Sequence, residues 1–318
     1  MTIDRTHAPL VLTRDLRDLA DTRHQHARAA LAGSEVRVGR GVYVRREDWD
    51  ELDALDRYRL RMVAFARTRK RPPVFSHQSA AVLHGLPMIG PVPERIHVSV
   101  GSTSGGRSAR AVVAHSCEVG FEDIVEVDGL RSTSRPRTAI DLAATSARPD
   151  AVVVADAVVR NGSPRLALLE AWLRAQPMRG HRRAQEVVAF ADARAESPLE
   201  SVSRVSMHAG GAPQPALQVP YSDSAGLIGR VDFAWPAFGV VGEADGDAKY
   251  LDAELRGGRS AERVVLDEKV REDRLRALGL RVVRWRWATA IDPEALAAHL
   301  AAAGLPVDRR TPWSECCP

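Results

Sequence analysis

Apolar positions change period twice before the chain reaches Asp50. Leu16, Leu19 and Ala20 recur at helical spacing after Thr13, and Ala27, Ala30 and Leu31 do so after Asp21 or Thr22, stopping at Gly33. Small polar side chains accept from the unpaired N–H groups of a helix start and glycine suits its end, so two helices joined by a turn are predicted. In VRVGRGVYV the period drops to two: Val36, Val38, Val42 and Val44 alternate around Gly39-Arg40-Gly41, which predicts a hairpin. Helix, turn, helix and basic wing outline a small winged helix-turn-helix over residues 1–71. DWDELDALDRYRLRMVAFARTRKR, with Leu52, Leu55, Leu60, Val63 and Phe65 inward, is predicted as one helix closing this unit before Pro72-Pro73.

Residues 72–149 mix a short helix, Ser79 to Leu83, with the β-rich pieces RIHVSV, ARAVVAHS and DIVEVDGLRSTS, and RPRTAIDLAATS starts a helix after Pro136. A small α+β domain is predicted there. Residues 150–196 hold three runs with apolar residues at helical spacing, predicting a helical connector. Residues 197–305 predict an α/β domain, and residues 306–318 a disordered tail. The fold class expected is thus α/β and α+β, multidomain.

Within the last domain, Ser197 caps a helix with Pro198 at its first position, placing Glu200 in the first turn. LIGRVDFAWP reads as a strand with Val231, Phe233 and Trp235 on one face and Arg230 and Asp232 on the other. The chain returns after Pro236 as FGVVGEADG, where the two-residue period puts Glu243 and Asp245 on one side. As a hairpin, the pair brings Asp232, Glu243 and Asp245 to one face. Next comes a helix with Val265, Leu266, Val270, Leu275 and Leu278 toward a core, then RVVRWRW, with Val283, Trp285 and Trp287 buried and Arg284 and Arg286 alternate.

At 318 residues, with 45% hydrophobic and 27% charged content, the chain has the composition of a soluble protein of several domains. It shows neither an apolar run of membrane-spanning length nor a secretory pattern, so a cytoplasmic location and no membrane partner are expected. Three cysteines without metal or disulfide spacing read as reduced. Of 45 basic residues only Lys70, Lys249 and Lys269 are lysines. A lysine pKa can move, whereas arginine stays charged, and two of the three lysines follow the acidic hairpin.

Clustered carboxylates persist when a cation neutralises them or when some take up protons. Hard oxygen donors suit magnesium or manganese, which would activate water against a phosphodiester; a solvated acidic strand edge is the alternative. His77, His84, His97 and His115 fit no zinc spacing and read as structural, and GSTSGGRSAR reads as a flexible hairpin connection, lacking the lysine of a phosphate-binding loop.

AESPLESVSR, IGRVDFAWP, VVGEADGDAKY and EKVREDRLRALGLRVVRWRW, spread over residues 195–287, resemble the restriction-endonuclease-like PD-(D/E)XK domain related to very-short-patch-repair endonucleases. The resemblance implies metal-binding roles for Glu200, Asp232 and Glu243. It also implies a water-positioning lysine two residues past Glu243, where this chain has Asp245; Lys249 or Lys269 can take that role. VRVGRGVYV, SHQSAAVLHGLP and LRSTSRPRTAIDLA resemble, in order, the AbiEi family of antitoxins of type IV toxin-antitoxin systems. This implies repression of the protein's own operon through DNA, with a cognate toxin as a further partner. Arg23, His24, Gln25 and Arg28 on the second helix, with Arg37 and Arg40 at the wing, are the candidate DNA contacts; ordinary surface residues are the alternative. Two functions follow: a magnesium-dependent DNA endonuclease, or a transcriptional regulator whose nuclease-like fold is a scaffold.

Overall fold

The computed structural model describes residues 10–12, 20–101, 110–246, 261–310 and Trp313. It is a mixed α/β protein with three sheets among the described residues. Two compact units divide the chain: residues 1–144 with 167–181, and residues 145–166 with 182–318. The helices expected to form a connector are shared between them.

The first unit opens with β1 (Val11–Leu12), α1 (Ala20–Leu31), β2 (Glu35–Gly39) and β3 (Val42–Arg45). The strands form an antiparallel sheet in the order β1-β3-β2. Alternation at Val36, Val38, Val42 and Val44 gives this sheet its apolar face, and Val42 and Val44 are fully buried. The helix expected ahead of α1 falls largely on residues 13–19, outside the described residues. The single closing helix is two: α2 (Arg46–Asp50) and α3 (Ala54–Arg67). Asp53 breaks it, because its carboxylate accepts from Asp56 N–H at 2.8 Å and caps a new helix instead of continuing the old one. Both faces of α3 are buried: Tyr58 and Met62 pack with Phe75 and Ile96, and Leu60 and Ala64 with Val44 and Val42.

A second sheet follows: β4 (Val74–Phe75), α4 (His77–Leu83), β5 (Ile96–Val100), β6 (Val112–Ser116), β7 (Ile124–Val127), β8 (Leu130–Thr133) and α5 (Arg135–Thr145). Its order is β6-β5-β4-β8-β7, with β5–β6 and β4–β8 parallel. Asp128 and Gly129 join β7 to β8 with φ of 51° and 71°, the pair of positive values that a two-residue hairpin turn requires. The segment GSTSGGRSAR lies mostly outside the described residues.

Three helices then alternate between the units: α6 (Arg148–Arg160) in the second, α7 (Arg165–Arg174) mainly in the first, and α8 (His181–Phe190) mainly in the second. The second unit continues with α9 (Pro198–Gly210), β9 (Ala216–Asp223), β10 (Gly226–Trp235), β11 (Val240–Ala244), α10 (Ala261–Ala277), β12 (Arg281–Trp285), α11 (Trp287–Ala290) and α12 (Pro293–Ala302). Its sheet runs β12-β11-β10-β9, antiparallel except for the parallel pair β11–β12. Phe233 stacks on Trp235 and meets the Trp285 ring at a tilt, and at Gly242 a Cβ would lie 2.5 Å from the Trp285 ring.

Two expectations fail here. The strand of RVVRWRW ends at Trp285, since Trp287 starts α11. On α10, Leu275 is fully buried, but Leu266, Val270 and Leu278 are exposed. The helix instead turns Glu268, Arg271 and Glu272 toward the sheet, one helical stripe with Leu275, because partners of opposite charge wait there. Part of the tail is also held: Trp313 stacks on Phe190 and donates to Ala212 O at 2.8 Å.

Candidate functional site

The acidic cluster of the second unit is built from the start of α9, the middle of β9 and β10, and the ends of β11 and β12. The start of α9 is fixed from both sides. Ser197 Oγ accepts from Glu200 N–H at 3.2 Å, and Arg204, one turn inward, pairs with buried Asp156 of α6 at 2.7 Å. Glu200 is buried, and its Oε2 accepts from the N–H of Glu196, the residue before the cap, at 2.9 Å, one position short of the reciprocal bond of a Ser-x-x-Glu box. The same oxygen accepts from Gln218 Nε2 at 2.9 Å.

Gln218 Nε2 also donates to Asp232 Oδ1 at 3.3 Å, so one amide links Glu200 to Asp232. Asp232 Oδ2 accepts from Ala244 N–H at 2.9 Å, which ties β10 to the residue after Glu243. Burial, and then the charge of Asp232, raise the Glu200 pKa against these hydrogen bonds.

Glu243 is 5% exposed and lies opposite Arg284 in the β11–β12 register. Its Oε2 is 2.9 Å from Arg284 Nη2, and its Oε1 is 2.6 Å from Arg271 Nη1. That buried Oε1 nevertheless accepts no aligned hydrogen bond. Arg284 meets Asp245 at 3.2 Å, Glu272 at 3.1 Å and Glu268 as well. Burial works against the charge of Arg284, but Glu268, Glu243 and Asp245 outweigh it and raise its pKa further. Burial likewise raises the Glu243 pKa, against Arg271 and Arg284.

The structure therefore brings Glu200, Asp232, Glu243 and Asp245 into one neighbourhood, in two linked halves. Among the described residues no three His, Cys, Asp or Glu side chains converge as a ready ligand set for a metal. The donors fit a divalent cation in kind, since all are carboxylate oxygens, with Glu243 Oε1 held by the ion pair with Arg271. Lys249 lies outside the described residues. Lys269 is exposed, and Arg271, two residues on, is the α10 side chain that meets Glu243. Arg284, on the alternate face of RVVRWRW, is enclosed by carboxylates.

Gln218 and Arg271 were missed from sequence. Neither carries a sign of its role: Gln218 is a neutral side chain in a polar strand, and Arg271 is one arginine among many on a charged helix.

In the first unit, Gln25 and Arg28 are exposed on α1, and Arg37 and Arg40 are exposed at the β2–β3 hairpin. The side chains of Arg23 and His24 lie outside the described residues. Glu35 on β2 accepts from His26 of α1 at 2.8 Å, fastening the helix to the hairpin.

Three of the four histidines read as structural come together. His77 and His115 stack with ring centroids 3.5 Å apart, and His97 Nδ1 lies 2.9 Å from His115 Nε2. Burial, then His115 and Arg95, bring His97 down to about 4, and burial also lowers His77 and His115. His84 is apart, with Nε2 2.7 Å from Thr133 O.

No family model matches the chain. It is similar to two curated proteins of Mycobacterium tuberculosis: uncharacterized protein MT2308 of strain CDC 1551 / Oshkosh and uncharacterized protein Rv2248 of strain ATCC 25618 / H37Rv. Each is 36% identical over 160 residues, covering 49% of this chain and 55% of the relative. The chain thus spans about half the length of the curated relatives it matches. No helix among the described residues is long and apolar enough to cross a membrane.

Proposed function

We propose that the protein binds DNA through α1 and the β2–β3 hairpin, arranged as a winged helix-turn-helix, and hydrolyses DNA phosphodiesters with magnesium or manganese at the carboxylates of its second unit. The observation that carries this reading is the linked set Glu200–Gln218–Asp232 beside Glu243, on the start of α9 and the adjoining strands β9, β10 and β11. Glu200, Asp232 and Glu243 would hold the cation. A bound divalent cation supplies Lewis acidity and an activated water.

The chain's own residues do the rest. Arg271 and Arg284 hold Glu243 in place while the cluster is unloaded, which lets a nearly buried carboxylate persist. Arginine cannot take a proton from water near neutral pH, so neither is a general base; their part is to orient carboxylates and offset charge. Gln25, Arg28, Arg37 and Arg40 would meet base edges and phosphates.

Plasmid nicking with Mg2+ or Mn2+, compared between wild type and Asp232→Asn of matched melting temperature, tests the reading. Loss of nicking in the variant is expected. Equal cleavage by both proteins sinks it.

A second reading has its own observation: Arg271 and Arg284 already neutralise Glu243, and position 245 holds an aspartate. In that reading the second unit is a scaffold, and the protein is an AbiEi-type transcriptional regulator with a toxin as partner. Sequence-specific retardation of its own promoter DNA, lost in Arg28→Ala with Arg40→Ala and kept in Asp232→Asn without any nicking, would establish it. No preference for promoter over random DNA would remove it.

A further inference from the structure

Gln218 sits in the middle of β9, between Leu217 and Val219, whose register partners across β10 are Phe233 and Val231. It therefore stands opposite Asp232. Its backbone is left-handed, with φ of 52°, a region that a long side chain rarely occupies and that costs on the order of 1 kcal/mol or more. A strand interior gives no local reason to keep this strain, since glycine would adopt the same conformation freely.

The side chain supplies a reason. A primary amide carries two N–H groups, and Nε2 places them on two carboxylates, Glu200 Oε2 at 2.9 Å and Asp232 Oδ1 at 3.3 Å. An aliphatic side chain would leave the two anions facing each other, and a carboxylate would add a third. We propose that Gln218 is a positioning residue whose amide clamps Glu200 and Asp232 into a pair able to receive a divalent cation, and that its left-handed backbone is kept because it aims the amide at both. This role rests on the metal-dependent reading of the cluster.

A clamp and a merely structural residue differ in what glycine does. Gln218→Gly removes the amide and relieves the strain together. A clamp predicts a damaged cation site in a protein that still folds, the relieved strain offsetting part of the two lost hydrogen bonds, whereas a structural role predicts lost stability with cation binding intact. Gln218→Asn keeps a primary amide and tolerates the left-handed backbone, but falls one methylene short, so it should restore part of the binding.

The experiment is thermal unfolding and Mn2+ calorimetry on the full chain as wild type, Gln218→Gly and Gln218→Asn. Gln218→Gly is expected to unfold cooperatively near the wild-type temperature while its Mn2+ affinity falls by about tenfold or more, the usual effect of removing an outer partner of a metal ligand, with Gln218→Asn between. A glycine variant that binds Mn2+ as tightly as wild type overturns the clamp and leaves the nuclease reading standing. A glycine variant that melts well below wild type, with Gln218→Asn binding Mn2+ no better than it does, assigns the residue to the fold and also overturns it. Wild type that binds no Mn2+ removes the metal-dependent reading itself, and the clamp with it.

Discussion

Arg284 Nη2 lies 2.9 Å from Glu243 Oε2, across two parallel strands in which these residues are register partners. The pairing lets a carboxylate that is 5% exposed remain in the sheet. It is also asymmetric. Glu243 meets two guanidiniums, whereas Arg284 also meets Asp245, Glu268 and Glu272.

Removing the shared cation should therefore be costly. Arg284→Gln leaves Glu243 with Arg271 alone and takes from Asp245 the guanidinium it meets, and a loss of about 2–4 kcal/mol is expected in urea unfolding at neutral pH. Arg284→Lys should recover only part, since one ammonium cannot match the planar fork that serves four carboxylates. A full recovery by lysine would mean that charge alone matters there.

Stability should fall as the medium is acidified through the titration range of the histidine group. His97 has its pKa lowered from 6.5 to about 4, so between these values the unfolded chain binds more protons than the folded one. Its contribution is complete above pH 6.5 and lost as pH drops toward 4. The raised pKa values of Glu200 and Glu243 act in the opposite sense, favouring the folded state as pH falls through their range. Comparing melting temperatures of wild type and His97→Asn across this range isolates the histidine part. Parallel curves would show that His97 is not its source.

Gly242→Ala should destabilise by about 1–3 kcal/mol, because the added methyl meets the Trp285 ring at 2.5 Å and the Trp235 ring at 3.2 Å. Chemical denaturation and near-ultraviolet circular dichroism of the tryptophans read this directly. A neutral substitution would mean that Trp285 can shift without loss.

What the sequence made legible divides along physical lines. The β2–β3 hairpin was readable because four valines alternate around two glycines, a signal carried by neighbouring residues alone. Asp232 and Glu243 were readable as candidates because charges in apolar strands stand out, whereas Glu200, in the first turn of a capped helix, became one through the resemblance. The orientation of α10 was not: Leu266 and Val270 look like core residues, yet the helix is turned by ion pairs of Arg271 and Glu272 with partners far along the chain. Nor was Gln218, whose role depends on a backbone angle that no residue type announces. The break at Asp53 was a contest between continuing one helix and capping another, and side-chain capping won.

The order of the strands has a consequence for how the second unit comes together in time. β9, β10 and β11 join by short connections, but β12 reaches β11 only after the whole span of α10 has been made, so Glu243 leaves a ribosome roughly forty residues ahead of Arg284. Closing that long connection is slow and makes β12 a late arrival. Arg284→Gln should accordingly hasten unfolding while leaving the refolding rate nearly unchanged, which stopped-flow chevrons would show. Until then the nascent domain carries an acid without its counterion, and the last strand to dock is the one that makes burying it tolerable.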